Sequence, residues 1–419
     1  MSEPPWCHAQ AHCLAECYAG AAFVRIGAVV KYLAFAAAGA ALLTSPALAE
    51  EVESSTNWLQ IEGLYKADAM ANVRGGVDRG IRLLGNGEIM AEADLARFGW
   101  RGARAKIHFL SVHGEVPNDL AGTMQGVDNI EVENNRSKLY QAWIEQSFAG
   151  ERAALLIGMV DLNSEFYQND AAGLLIAPAF GIGSELAATG PNGPSIFPST
   201  ALAARLRITD GKGAYANVAL FNAKAGVLGD DGGVDFKMRD GALAIAEAGI
   251  AGNGKLAAGY WRYTKHQGDI RSVDADGAAE GRITQGAYLL AETPSLGGGA
   301  DGRDIRGFAR IGLSDGDTTP YRGGWQAGLL VENAGGTGSQ LSLGVNQARL
   351  SSKFRRNAAE TGQPLGRTET GVELTYSQPI TPFLSVQPDV QYIFNPSANP
   401  RIKDAVLVGL RFTVTIPGN

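Results

Sequence analysis

The segment Leu384-Ser385-Val386-Gln387-Pro388-Asp389-Val390-Gln391-Tyr392-Ile393-Phe394 decides the fold of this 419-residue chain. Apolar or aromatic side chains, together with Pro388, occupy every second position from Leu384 to Phe394, and polar side chains lie between them as far as Gln391. Successive side chains of a β-strand point to opposite faces. The segment therefore predicts a strand with one apolar face and one wet face.

The same alternation returns along the whole chain. Residues 406–416 repeat it directly after the first segment, and residues 305–313 and 202–208 repeat it earlier. About sixteen such runs can be counted, each of roughly ten residues, which is the length that a tilted strand needs to cross a bilayer. The pattern predicts an all-β chain folded as a transmembrane antiparallel β-barrel of about 16 strands. The runs are centred near residues 64, 88, 107, 144, 157, 205, 218, 246, 260, 288, 309, 328, 345, 373, 389 and 410.

The connections between these runs alternate in length. Short connections are predicted at residues 150–152, 210–213, 251–254, 334–338 and 379–382. Long ones are predicted at residues 114–138, 161–200, 223–241, 266–283 and 351–366, while 293–303 and 74–80 break the rule. Short periplasmic turns at one rim and long extracellular loops at the other are typical of outer-membrane barrels. A soluble sandwich would instead direct its apolar faces into one core.

Composition favours a single large β-domain and argues against a nucleic-acid partner. The chain contains 55 glycines, and 45% of its residues are hydrophobic. Its formal net charge is −7. The sequence contains no dense cluster of Lys and Arg residues of the kind that binds a nucleic-acid phosphate backbone. The length of the chain does not by itself indicate several domains, because a large barrel is a single domain that exceeds the usual domain size.

The N-terminus has the pattern of a secretory signal. Lys31 precedes a short apolar run at residues 33–43, and the following Ala47-Leu48-Ala49 is an Ala-x-Ala cleavage site. We expect residues 1–49 to be an N-terminal extension and cleaved signal peptide, and residues 50–419 to be a single barrel domain. All three cysteines lie upstream of the cut, so the mature chain would contain no disulfide and no thiol ligand. They are Cys7, Cys13 and Cys17.

The sequence predicts no catalytic residue, no metal site and no cofactor. Only His108, His113 and His266 follow the cleavage site. His108 and His113 are five positions apart on a predicted strand, hence on opposite faces, which disfavours a shared metal. The sequence Gly252-Asn253-Gly254-Lys255 lacks the spacing and the following Ser or Thr of a phosphate-binding loop, so a hairpin turn is the better interpretation.

Four groups of residues, in order, carry a resemblance to a known family. They are Gly75-Gly76 with Gly80, Asp94-Leu95, Gly99, Gly102 and His113-Gly114; Trp143-Ile144-Glu145-Gln146-Ser147-Phe148; Gly158-Met159-Val160-Asp161-Leu162-Asn163 with Phe166; and Gln387-Pro388-Asp389-Val390-Gln391-Tyr392-Ile393 with Asn395-Pro396 and Gly409-Leu410-Arg411. In these motifs the chain resembles the carbohydrate-selective porins of the OprB family over the whole mature sequence. The resemblance implies a 16-stranded barrel, usually trimeric, that passes glucose and related sugars.

The function that we expect is passive, sugar-selective diffusion of small, glucose-like carbohydrates into the periplasm of a Gram-negative bacterium. The expected partners are small neutral sugars, outer-membrane lipid and two further copies of the chain in a homotrimer. A general or anion-preferring porin on the same fold is the alternative. An outer-membrane barrel enzyme is a third possibility, but it would need a Ser/His/Asp or Asp/His set at the rim, and three scattered histidines do not supply one.

Charged residues on the wet faces of the strands are the first candidates for the solute path. A charge at mid-depth on the lipid face would cost several kcal/mol, so these side chains should line the lumen. Arg205, Arg207, Arg306 and Arg310 lie on such faces. Trp143 shares a face with Gln141 and Glu145, and stacking on a sugar ring or packing at the wall or a trimer contact both suit it.

The 161–200 segment is too long for an ordinary connector. We expect it to fold into the bore, with a surface-exposed loop as the alternative, and to carry Asp161, Asn163, Glu165, Phe166 and Asp170 with it. Its carboxylates would then face Arg205 and Arg207 across the lumen, and Phe166 or Tyr167 would offer an apolar surface to a sugar.

Overall fold

The computed structural model describes residues 58–297 and 302–416. The predicted leader, its cleavage site at Ala49 and the domain boundary at residue 50 lie outside the described residues. Within the described part the chain forms sixteen strands, and each predicted run is centred inside one of them. They are β1 (Leu59–Gly76), β2 (Gly80–Asp94), β3 (Ala103–Gly114), β4 (Arg136–Phe148), β5 (Ala153–Val160), β6 (Ala201–Thr209), β7 (Ala214–Asn222), β8 (Ala242–Ala251), β9 (Lys255–Val273), β10 (Ala279–Glu292), β11 (Asp304–Ser314), β12 (Tyr321–Glu332), β13 (Gln340–Leu350), β14 (Thr368–Thr381), β15 (Leu384–Phe394) and β16 (Lys403–Ile416).

The strands form one closed antiparallel barrel. Each strand pairs with its neighbours in sequence, and β1 pairs with β16 to close the ring. Tyr65 lies opposite Val414, and Asp68 lies opposite Arg411, across this closing seam. A closed barrel leaves no strand edge unpaired, which a hydrocarbon environment requires because it offers no partner for backbone N–H and C=O groups. The predicted fold class is confirmed.

Side chains alternate between the outer and the inner face as the sequence predicts. On β15 and β16 the apolar side chains Val390, Val408 and Phe412 are 46%, 45% and 40% exposed. The intervening Asp389 and Arg411 are 1% and 5% exposed, because they point into the interior of the barrel. The outer face is therefore apolar and suited to lipid, and the charges lie inside.

The connections alternate in length as predicted, with one exception. The long-loop rim carries residues 115–135, 161–200, 223–241 and 351–367, while the opposite, short-turn rim carries tight turns such as 252–254 and 382–383. The predicted long connection at 266–283 is wrong, because β9 and β10 continue to Val273 and from Ala279 and leave only residues 274–278 between them. Antiparallel pairing there extends over polar residues, with Gly268 opposite Gly281, so the apolar alternation that marks the other strands is missing.

Within residues 58–297 and 302–416, helical structure is confined to short pieces in the connections. The α-helices are α1 (Asn118–Ala121), α2 (Ser184–Ala187) and α3 (Ser352–Glu360), and the 3-10 turns are Leu95–Phe98, Leu162–Ser164, Asp170–Ala172, Pro178–Phe180 and Pro396–Ala398. The longest, α3, begins after Ser351, whose hydroxyl accepts the N–H of Phe354 at 3.1 Å. In the part of the chain that the structure describes, no helix is long and apolar enough to span a membrane.

Candidate functional site

The 161–200 segment folds into the bore of the barrel, as expected. It leaves β5 and returns at β6, which are neighbouring strands, yet its backbone is held by side chains of the opposite wall. Glu373 on β14 accepts the N–H groups of Ile176 and, at 2.9 Å, Ala177. Arg310 on β11 donates to the carbonyls of Tyr167, Ala179 and Gly181 at 3.1, 2.9 and 2.7 Å. These contacts require the segment to span the lumen.

The side of the segment that faces β7 to β10 packs in a large apolar cluster. Phe166, Tyr167 and Leu186 from the segment have no exposed surface, and they meet inward-facing aromatic and aliphatic side chains of β7 to β10. The wall residues in the cluster include Phe221, Leu243, Ile245, Trp261, Tyr263 and Tyr288. Burying side chains of this size stabilises by about 1.5–3 kcal/mol each, so the segment is anchored firmly. The expectation that Phe166 or Tyr167 presents a face to a sugar is wrong, because both are fully covered.

The prediction that acidic residues of the segment face arginines across the lumen is also wrong for Glu165 and Arg205. Arg205 donates to Glu165 at 2.8 Å and to Glu145 at 2.6 Å, and its side chain is almost fully buried. The reason is local: β5 and β6 are paired, so the first turn of the segment lies beside β6 rather than across from it. Burial raises the pKa of the Glu165 carboxyl, against the lowering effect of Arg205.

Asp161 begins the segment as a structural cap. Its carboxylate accepts the N–H of Asn163 and the hydroxyl of Tyr140, each at 2.8 Å. Burial raises the pKa of Asp161 to about 6, although both hydrogen bonds act in the opposite direction. Asn163 in turn donates to the carbonyl of Phe166 at 3.3 Å and to that of Gly181 at 3.4 Å. Both residues therefore shape the segment from within.

The other predicted path residues lie in different surroundings. Arg207 is exposed, with its guanidinium 5.7 Å from the centre of the Tyr215 ring, and Asp170 is exposed on the segment. Trp143 is half-buried and packs against the apolar cluster. Arg306 lies toward the short-turn rim and pairs with Glu332 at 2.8 Å and Asp304 at 3.6 Å. Of the predicted residues, Arg207 and Asp170 are exposed, and the Arg306 side chain is 29% exposed.

A second segment, residues 115–135, also enters the lumen, and the sequence reasoning missed it. Glu369 accepts the N–H groups of Met124 and Gln125 at 2.9 and 3.1 Å. Gln391 donates to the carbonyl of Val127 at 2.8 Å. The signal in the sequence is the set of carboxylates and amides on the inner faces of β14 and β15. Among them, Glu369, Gln387 and Gln391 bond backbone groups of the two segments.

A buried ionic cluster ties this second segment to the closing seam of the barrel. Arg411 on β16 donates to Asp68 on β1 through two nitrogens, with a shortest distance of 2.5 Å. The same guanidinium reaches Asp128 at 3.2 Å and Asn129 at 2.8 Å. Burial and the nearby Asp68 raise the pKa of the Asp128 carboxyl well above its ordinary value.

Three pairs of opposite charges lie on the inner wall. Lys66 lies 3.9 Å from Glu88, and Lys106 lies 2.9 Å from Glu92. Arg306 and Glu332 make a further pair in which both side chains are about a third exposed. The inner wall is thus polar and rich in donors and acceptors, and the charges within these three pairs compensate each other. Among the described residues, the exposed Arg207 and Asp170 have no such ion-pair partner. Within residues 58–297 and 302–416, no three His, Cys, Asp or Glu side chains are grouped as a metal site would need.

Solved structures support the fold assignment. OprB of Pseudomonas putida in its high-pH structure superposes with a TM-score of 0.75 at 21% identity, covering 85% of this chain and 94% of that one. The outer-membrane channel DcaP of Acinetobacter baumannii gives 0.52 at 10% identity, covering 85% and 97%. An anion-selective porin from Comamonas acidovorans gives 0.51 at 12%, covering 85% and 99%. At these identities the likeness concerns the fold.

The family is shown by the sequence itself. No curated protein gave a significant sequence match. The model of the family described as "Carbohydrate-selective porin, OprB family" matches residues 78–416, which is most of the 419-residue chain. Together with the closed 16-stranded barrel and its folded-in segment, that match establishes that the chain belongs to the OprB family of carbohydrate-selective porins.

Proposed function

We propose that this outer-membrane porin conducts small neutral sugars of hexose size through the space left beside the 161–200 segment. The family and the fold are those of a channel rather than an enzyme, and they belong to the outer membrane of Gram-negative bacteria. The observation that carries the proposal is the pairing of charges at Lys66, Lys106 and Arg306 on the inner wall.

Paired charges favour a polar neutral solute over an ion. A sugar hydroxyl both donates and accepts, so it can donate to a carboxylate and accept from a neighbouring cation. An ion, in contrast, gains most from a wall of one sign, which the pairs at Lys66, Lys106 and Arg306 do not provide. Each contact must stay weak, because a solute that binds tightly would stop flux.

We infer that the contacting residues are the accessible ones, Asp170, Arg207 and Arg306. Arg207 with Tyr215 offers a donor beside an aromatic ring, which suits one hydroxyl edge and one apolar face of a sugar. Asp161, Asn163, Glu165, Phe166, Arg205 and Arg310 act through the position of the segment, and Trp143 supports the wall. From the family resemblance we also propose a homotrimer and a signal peptide cut after Ala49.

The test is sugar block of the ion current through single channels in a planar bilayer. Glucose should reduce the current reversibly, and Arg207→Gln should weaken that block by about two- to tenfold, the range for one lost hydrogen bond. Arg152→Gln is the matched control, because Arg152 is exposed in a short turn after β4. An unblocked current, or equal effects of both variants, would contradict the proposal.

A further inference from the structure

Four arginines surround one cavity on the long-loop rim. The cavity has a volume of about 300 Å³. It lies where β12 begins, where β13 ends and where the 351–367 connection returns to β14, and it is lined also by Leu350 and Ser352. The arginines are Arg322, Arg349, Arg355 and Arg367. Such a concentration of positive charge is notable in a chain of net charge −7.

Among the residues that the structure describes, the guanidinium groups of this cavity have no carboxylate partner. No acidic side chain among the described residues lies within 4.0 Å of any of the four. Arg322 donates to the backbone carbonyl of Asp315 at 2.9 Å, and Arg355 donates to that of Leu365 at 3.2 Å. In contrast, Arg306 on the inner wall is paired with Glu332, and Arg271 on β9 is paired with Glu360. Most of the N–H donors in the cavity are therefore available.

The local backbone conformation determines where the arginine side chains of the cavity lie. The β12–β13 pairing shifts between Tyr321 and Gly323, so Arg322 is the extra residue of a bulge, a device that redirects a side chain. Tyr321 points inward, where its hydroxyl donates to the carbonyl of Met124 at 2.8 Å. Arg322 is exposed, and Arg349 is exposed between the buried Ala348 and Leu350. Both arginines thus lie on the outer side of the rim.

Helix α3 is held over the cavity by packing. Phe354 and Leu365 pack against the buried cluster of Tyr321, Ala348 and Leu350. Arg355 follows Phe354 on this helix, and its Nε bond to Leu365 fixes the side chain further. The fold therefore holds helix α3 and Arg355 in position, so binding a ligand would cost little side-chain entropy there.

We propose that this cavity binds a phosphate group. Guanidinium groups bind phosphate oxygens through paired charged hydrogen bonds, and several of them converging on one cavity suit a dianion better than a carboxylate. Two sources share this chemistry: the phosphorylated headgroup of a lipid in the outer leaflet, and a soluble sugar phosphate arriving at the mouth. The site does not depend on sugar selectivity in the bore.

The test compares two double variants with the same change in charge. Arg349→Gln with Arg355→Gln removes cavity residues, whereas Arg356→Gln with Arg401→Gln removes exposed arginines of the same rim that do not line the cavity. Resistance to unfolding in SDS at room temperature shows that each variant is folded. Block of the current by glucose serves as a second check, which both variants should retain.

Each source is measured separately on the full mature chain. In detergent, calorimetric titration with inorganic phosphate and with glucose 6-phosphate detects the soluble source. Native mass spectrometry after reconstitution with a phosphorylated glycolipid, or with its dephosphorylated form, detects the lipid source. Phosphate-dependent binding in either arm that weakens by about tenfold or more in the cavity variant, and by less than about twofold in the control, supports the site. Absence of binding in both arms, or equal losses in the two variants, overturns it.

Discussion

Deleting residues 173–194, with Ala172 joined to Ser195 by a short glycine linker, should raise single-channel conductance at least about twofold, since pore width controls conduction. The deletion removes the N–H groups that Glu373 holds and the carbonyls of Ala179 and Gly181 that Arg310 holds. It retains Phe166 and Tyr167, which anchor the first part of the segment. Discrimination between a hexose and a trisaccharide in uptake assays should fall at the same time.

A shorter deletion in another long loop separates this effect from a general weakening of the barrel. Residues 232–238 belong to the 223–241 connection, in which Phe236 is 76% exposed. Removing them should leave both conductance and size discrimination within about 20% of the original values, because their side-chain contact with the barrel, from Asn222 to Asp235 at 3.2 Å, lies at the loop end of β7. If the first deletion folds and its conductance equals that of the unmodified channel, the segment does not set the width of the path.

Replacing Arg411 by Ala should lower the free energy of unfolding by about 3–5 kcal/mol, the usual consequence of leaving buried charges without their partner. Asp68 and Asp128 both depend on this guanidinium, and both are nearly fully buried. The loss falls on the β1–β16 seam, where the barrel closes. Urea unfolding in detergent micelles, followed by tryptophan fluorescence, measures the change.

The pH dependence gives this prediction a second readout. The pKa of Asp128 in the folded protein is raised, so its carboxyl destabilises the fold once it ionises, and stability falls as the pH rises through that value. Without Arg411 this effect should grow, so the deficit of the variant should shrink in acid. Arg306→Ala is the control: that pair is partly exposed, and its loss should change stability by at most about 1 kcal/mol. Equal losses at Arg411 and Arg306 would contradict the importance of the buried cluster.

The outer surface of this barrel was predictable from sequence because one physical demand acts on it everywhere. Each strand must present apolar side chains to lipid, so alternation at Val390, Val408 and Phe412 defines both the strand and its facing. Beyond the lipid-facing part of β9 and β10, as at Gly268 and Gly281, the strands lack apolar alternation, so the sequence indicates a loop there.

The interior was less predictable because its partners come from distant parts of the chain. The alternation of side chains predicts polar inner faces, yet Phe221, Leu243 and Trp261 point inward and are covered by the 161–200 segment. A signal was present: β7 carries apolar residues on both faces, with Val218 and Leu220 exposed outward and Phe221 buried inward. The pairing of Glu165 with Arg205 depends on where the segment leaves β5. The alternation of side chains along the strands gives no information about that point.

The most direct test of passage by neutral sugars is osmotic swelling of liposomes that contain the purified protein. The series compares glucose with gluconate and with glucosamine, which are similar in size and differ in charge. Because the charges at Lys66, Lys106 and Arg306 on the inner wall are paired, glucose should enter faster than either ion, and swelling should slow steeply from hexose to trisaccharide. Faster entry of gluconate than of glucose would contradict a sugar channel and indicate an anion-preferring porin.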